Sequence, residues 1–184
     1  MKVLWALLLL SLPVWADYHD WPAMEVDLER MAQAYPSLVK LSRFGSTVEK
    51  RPLTVIALGE KGHDPRVPAV FFIGGLHARE RIASEFPYLL AQRLLALHKQ
   101  GDARILRLLK TRTIYLMPMM NPDGIVFDHS GTGRKSWRKN RARNSEGAIG
   151  VDLNRNFGFG WGNLGASDAP HSDVYHGRAP FSEP

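Results

Sequence analysis

Val67-Pro68-Ala69-Val70-Phe71-Phe72-Ile73-Gly74-Gly75-Leu76-His77-Ala78-Arg79-Glu80 is the stretch from which the fold is read. Its first seven residues form a continuous apolar run rich in β-branched and aromatic side chains, closed by two glycines. That is the pattern of a buried strand in a parallel or mixed sheet. The glycines let the backbone leave the strand sharply. His77 and Glu80 then stand at the strand's carboxyl end, the edge where open α/β sheets bind ligands. Imidazole and carboxylate together suit zinc, whose catalytic sites commonly take two histidines and a carboxylate and keep one position open for water. By itself, His-x-x-Glu is commoner as a surface pair than as a metal site, so its context has to decide. Arg79, between the two, is placed to grip a carboxylate in bidentate fashion.

Upstream, residues 20–35 carry Met24, Leu28 and Met31 at three- and four-residue steps among charged residues, which predicts an amphipathic surface helix stopped by Pro36. Residues 38–46 and 53–58 flank the turn-like Glu49-Lys50-Arg51-Pro52 and read as a hairpin or two adjacent strands. Downstream, Phe86, Leu89, Leu90, Leu94, Leu95 and Leu97 predict a helix over residues 83–98 that covers the sheet. Ile105 to Leu109 makes a second short helix, and Thr113 to Met117 another strand. Strands alternating with helices indicate α/β layers. Asn121-Pro122-Asp123-Gly124 reads as a turn, followed by a long stretch rich in Gly, Asn and Arg of the kind that holds function.

The 184 residues amount to about one domain, and 45% hydrophobic with 23% charged residues is an ordinary globular balance. Lys2, the apolar run from Val3 to Leu12 and the small residues around Ala16 read as a cleaved secretory signal over residues 1–16. The run is shorter than the roughly 20 residues of a membrane span, so no transmembrane segment is expected after cleavage. The chain contains no cysteine, so packing and any bound metal must carry stability without disulfides. A net charge of +6 and a pI near 9.8 allow acidic partners, but an exported protein rarely meets nucleic acid. A secreted or periplasmic monomer with no nucleic-acid partner is expected.

Two further stretches carry chemistry. Residues 133–143 pack six cationic side chains around Trp137. A solvated basic surface is the default reading, ahead of a nucleic-acid patch and a substrate-anion site. Asp152-Leu153-Asn154-Arg155 alternates polar and apolar residues, which on a strand sends Asp152 and Asn154 to one face unless the chain turns there. An amide beside a guanidinium grips a carboxylate with several donors.

Taken in order, His77-Ala78-Arg79-Glu80, Asn121-Pro122-Asp123-Gly124, Trp137-Arg138-Lys139, Asp152 to Phe157 and Ser172 to Gly177 resemble the zinc metallocarboxypeptidases of the carboxypeptidase A/B type. The similarity runs from about Tyr18 to Pro184. It implies a three-layer α/β/α fold with a mixed, mostly parallel twisted sheet, here incomplete at the carboxyl end, with residues 17–184 as a truncated catalytic domain. It implies Zn2+ as cofactor, held by His77 and Glu80, with Asp152 supporting the ligating histidine. Arg138 resembles the arginine that polarises the scissile carbonyl, Asn154 and Arg155 the pair that holds the substrate's terminal carboxylate, and Arg79 a secondary anion contact. The substrate would be a peptide or protein C-terminus.

In that family the third zinc ligand, a histidine, and the general base, a glutamate, follow the Tyr-His-Gly segment. Both are expected beyond residue 184, leaving the chain inactive alone. His171 and His176 are assigned loop or packing roles. A zinc amidase, deacylase or cell-wall peptidase on the same scaffold is the enzymatic alternative. A non-catalytic carboxylate-binding module is the alternative from another class.

Overall fold

A computed structural model describes residues 18–131 and 135–184; the expected signal segment, residues 1–16, lies outside the described residues. Helix α1 spans Trp21–Ala34, strands β1 and β2 span Val39–Ser46 and Pro52–Leu58, and strand β3 spans Ala69–Ile73. Helices α2 (Arg81–Lys99) and α3 (Ala103–Thr111) lead to strand β4, Thr113–Met117, and to helix α4, Pro122–His129. Asp20 caps α1 by accepting the Ala23 amide, and Asp102 caps α3 by accepting the amides of Arg104 and Ile105. No helix among the described residues is long and apolar enough to cross a membrane.

The four strands lie in the order β1-β2-β4-β3. The sheet is mixed, as expected, but of its pairings only β3 with β4 is parallel, while β1 with β2 and β2 with β4 are antiparallel. This corrects the expectation of a mostly parallel sheet for the described strands. The cause is local: the short turn after Ser46 folds β2 back on β1, and only the long crossover through α2 and α3 gives a parallel neighbour.

The main core gathers Met24, Leu28 and Met31 of α1, Tyr88, Ala91, Leu94 and Leu95 of α2, and Leu109 of α3. These pack on Ile56, Leu58, Ile114 and Leu116, which share one face of the sheet. The opposite face carries the smaller cluster of Leu53, Val55 and Met117. Beside it Phe44, Phe71 and Ile73 are exposed. The described residues therefore make two layers, and the third layer expected for the fold is not among them. Strand β3 pairs on one side only, so the strand read as buried lies at a sheet edge with Val70 and Phe71 47% and 48% exposed.

A second correction concerns Asn121-Pro122-Asp123-Gly124, which opens α4 rather than a loop. Asn121 caps by accepting the Gly124 amide at 2.9 Å, and Pro122 fits the first turn, where no amide donor is needed. Asp123 is buried and accepts from Thr47 Oγ1 at 2.7 Å, Arg51 Nη1 at 2.7 Å and the Glu49 amide at 3.0 Å, tying the hairpin to α4.

His19 joins the chain before α1 to both long helices. Its amide donates to Glu85 Oε1 at 2.7 Å, Nδ1 meets Glu85 Oε2 at 2.9 Å, and Nε2 meets Asp27 Oδ2 at 3.2 Å. Burial lowers the imidazole pKa, but the bonds and charges of Glu85 and Asp27 outweigh it, so the value is raised. A folded pKa above the unfolded value of about 6.5 gives a stabilisation complete below that pH and lost as pH rises through the folded pKa. Urea unfolding at pH 6 and pH 8 is expected to show the parent more stable at pH 6, with this increment absent from His19→Ala; an equal difference in both proteins would remove the clamp from the account.

Candidate active site

The two parallel strands end on the same side of the sheet, and the candidate residues cluster there. Gly74 and Gly75 make this possible. Gly75 has φ +62, and a side chain there would meet Ser84 Oγ at 2.7 Å and the Pro118 carbonyl at 2.9 Å. After this turn the chain presents His77, which is buried, and Glu80, whose side chain is 48% exposed.

Asp152 reaches the same point from the other half of the chain. It is fully buried and caps the 3₁₀ turn Leu153–Arg155, accepting the Asn154 amide at 2.9 Å. The strand alternation read from this segment is thus replaced by a turn, which separates Asp152 from the exposed Asn154. Oδ1 of Asp152 meets His77 Nε2 at 3.0 Å, and Oδ2 accepts from Arg138 Nε at 3.0 Å and Nη2 at 2.9 Å. Burial raises the Asp152 pKa, but the bonds to His77 and Arg138 and the charge of Arg138 outweigh it, so the carboxyl is held below its ordinary value.

An ionised Asp152 only accepts, so it fixes the proton of His77 on Nε2. Nδ1 of His77 then lies 3.0 Å from Glu80 Oε1. Two lone pairs at that separation require a shared cation, either a proton or a metal ion. Two donors of one zinc, each about 2.0–2.2 Å from it, also stand roughly 3 Å apart. The pair fits zinc in chemistry and spacing. Among the described residues no set of three His, Cys, Asp or Glu side chains forms a metal site.

Around this centre lie the arginines. Arg138 Nη1 points to the Glu80 side, 3.5 Å from Oε1, while its other donors hold Asp152. Arg155 Nε donates to the Gly165 carbonyl at 2.8 Å and Nη1 to the Asn154 carbonyl at 3.2 Å, which fixes the guanidinium plane. Arg79 Nη1 reaches Asp173 Oδ2 at 3.1 Å and the Ser136 carbonyl at 3.4 Å. The structure thus joins His77, Glu80, Asp152 and Arg138 in one bonded set, with Asn154 and Arg155 on the turn that Asp152 caps.

Lys135 and Arg143 of the basic stretch are exposed, but Arg138, Lys139 and Arg141 are turned inward, which corrects the default reading for these three. Arg141 stacks on Phe127 with its guanidinium carbon 3.7 Å from the ring centroid, and Lys135 Nζ lies 4.5 Å from the same ring. Lys139 is buried, donates to the Pro170 carbonyl at 2.9 Å, and has its pKa lowered by burial. Arg134 lies outside the described residues. His176 takes a packing role, with Nδ1 2.7 Å from the Gly177 carbonyl and its ring against Trp161, while His171 is exposed.

Asn121 was read only as a turn residue, yet it bridges the two halves of the site. Its Nδ2 donates to the Leu76 and Lys139 carbonyls, both at 3.0 Å, beside His77 and Arg138. With its cap bond this makes three bonds, two of them buried and one partly so, each worth about 0.5–1.5 kcal/mol. Asn121→Ala is therefore expected to destabilise by about 2–4 kcal/mol in urea unfolding; a loss under about 0.5 kcal/mol would show the bridge to be idle. The link was illegible because its partners lie 45 and 18 residues away.

A family model described as zinc carboxypeptidase matches residues 24–184. Carboxypeptidase B of Astacus astacus is 36% identical over 171 residues, covering 92% of this chain and 54% of that protein. Human mast cell carboxypeptidase A is 37% identical over 171 residues, covering 92% of this chain and 40% of its own length. A solved structure of bovine thrombin-activatable fibrinolysis inhibitor in complex with tick carboxypeptidase inhibitor superposes with a TM-score of 0.77 at 32% identity. It covers 91% of this chain and 53% of that one. The chain spans about half the length of these relatives or less.

Proposed function

The chain belongs to the zinc carboxypeptidase family, whose cofactor is zinc, and from that premise we propose that His77 and Glu80 are two of the metal's ligands in a site that removes the C-terminal residue of peptides. The observation that carries the proposal is the approach of His77 Nδ1 to Glu80 Oε1 at 3.0 Å, with the opposite ring nitrogen held by Asp152.

Bound there, zinc supplies a Lewis acid and lowers the pKa of its water toward about 7. The remaining chemistry falls to the chain's own groups. Asp152 keeps the His77 proton on Nε2, so that Nδ1 presents a lone pair. The same carboxylate orients Arg138, whose Nη1 is aimed toward Glu80 and is the donor offered to a carbonyl oxygen that gains charge. Asn154 and Arg155 bind the free α-carboxylate of the substrate by charge-assisted bonds, which sets the cleavage register. Arg79 attracts that carboxylate on its way in, and Asp173, a residue given no role from sequence, positions Arg79. The leader-like residues 1–16 support export, so the peptides met would lie outside the cytoplasm.

Zinc titration of the purified chain, parent against His77→Ala, tests the ligand assignment without requiring turnover. The parent is expected to take up zinc and the variant to lose at least about tenfold in affinity, as for loss of a group that sets a zinc site; unchanged uptake would sink it. Binding of free-acid but not amidated peptides to the chain tests the substrate class separately and again without turnover, and equal binding of both would overturn the carboxylate-recognition roles.

A further inference from the structure

The far end of the molecule carries the chain's charge. Between residues 93 and 112, six cationic residues (Arg93, Lys99, Arg104, Arg107, Lys110 and Arg112) accompany one acidic residue, Asp102, giving a net +5 against +6 for the whole chain. The segment comprises the second half of α2, α3 and the approach to β4. It therefore lies at the amino end of β4, whereas the candidate site follows the carboxyl ends of β3 and β4. The neighbouring loop, residues 60–66, adds two cations and two acids and so changes nothing in the balance.

All six cations are exposed. Asp102 is committed to the α3 cap, and its carboxylate lies 3.9 Å from Arg104 Nε. Among the described residues the other five form no ion pair. Like charges along a short helix repel, and α3 keeps them without internal compensation. Three of them are also arranged: Arg104, Arg107 and Arg112 line a concavity of about 290 Å³ together with Leu108 and Thr111. Guanidinium forks match tetrahedral oxyanions, and α3 spreads Arg104, Arg107 and Lys110 over roughly 9 Å at 1.5 Å per residue. That length fits several anionic groups on one linear chain rather than a single small anion.

The lining narrows the partner. No Phe, Trp or Tyr occurs between residues 93 and 112, so the surface offers neither a stacking platform for unpaired bases nor an aromatic anchor for a lipid interface. Leu108 and the Thr111 oxygen, which donates its proton to the Arg107 carbonyl at 2.8 Å and can still accept, suit the carbon face and hydroxyls of a sugar ring, which a chain of bare phosphates lacks. We propose that α3 and the end of α2 form a docking surface for a sulfated polysaccharide, leaving the opposite, catalytic end free for peptide.

The test compares two triple variants that remove the same charge. One carries Arg104→Gln, Arg107→Gln and Arg112→Gln; the other carries Arg30→Gln, Lys50→Gln and Arg178→Gln, exposed positions on α1, the hairpin and the last loop. Heparin binding by the expressed chain is measured across a salt series. The first variant is expected to lose at least about tenfold in affinity, and its slope of log affinity against log salt to fall by about two to three, as for three released counterions. The second is expected to change by less than about twofold. Equal losses in both variants would reduce the effect to net charge and overturn the proposal. So would absent heparin binding, or tighter binding of polyphosphate, single-stranded DNA or phosphatidylglycerol vesicles at the same salt. Should the first triple variant lose helix content by circular dichroism, Arg107→Gln alone carries the comparison.

Discussion

Asp152→Ala is expected to cost about 3–5 kcal/mol of stability, the range for removing one partner of a buried ion pair. The fully buried carboxylate serves His77 and Arg138 at once, and its loss leaves the Arg138 guanidinium, only 12% exposed, with the longer 3.5 Å contact to Glu80 as its remaining carboxylate partner. Zinc affinity is expected to fall about 10–100-fold as well, because nothing then holds the His77 proton on Nε2. Urea unfolding and zinc titration measure the two consequences independently. Retention of both within error would mean that Asp152 organises neither group. Since its pKa is depressed in the fold, its stabilising effect is present above the ordinary carboxyl pKa of about 3.8 and fades as pH drops through the lower folded value. The acid limb of a stability profile should therefore shift in Asp152→Asn.

Gly74→Val is expected to be as damaging by a different route. A Cβ at Gly74 would collide with the Ala83 carbonyl and lie 2.8 Å from the Pro118 carbonyl and 3.0 Å from Pro87 Cγ. The Ala83 carbonyl receives no helical bond from Pro87, four residues later within α2, because proline has no amide to give it. Two of the three obstacles are backbone, so no rotamer change relieves them. A loss of about 4 kcal/mol or more is expected, in the exceptional range for one substitution, and the variant should fail to accumulate in soluble form. A Gly74→Val protein with the parent's melting temperature would mean that β3 and α2 separate more readily than their contacts indicate.

The two variants probe different kinds of information. Gly74 was marked in the sequence by its place after an apolar run, and the sharp exit it predicted is present. α1, the hairpin and α2 were equally legible, because each announces itself through a local pattern of apolar residues, with Pro36 stopping α1 and a turn closing the hairpin. α4 was missed because Asn-Pro-Asp-Gly is both a turn signature and a capped helix start. Buried Ile125 and the Asp123 contacts with the hairpin favour the helix. β3 read as buried because its composition is apolar on both faces, but composition does not say how many neighbours a strand has.

The candidate site divides in the same way. Residue order and type were enough to single out His77 and Glu80 as candidates, since they follow the end of β3 by four and seven residues and so lie at one edge of the sheet. The Arg79–Asp173 pair, the Asn121 bridge and the stacking of Arg141 on Phe127 left no local signature.

From the sequence alone came most of the elements, the family and the candidate metal residues, because periodicity, turn chemistry and ordered motifs act over a few residues at a time. The resemblance had paired Asp152 with His77, but only the tertiary structure showed that this carboxylate, 75 residues from His77, bonds the imidazole and Arg138 together, and that the basic segment 93–112 lies at the opposite end from them. Hydrogen bonds and fields depend on distance in space. Sheet register and loop paths set those distances, and neither is written in any short stretch of residues.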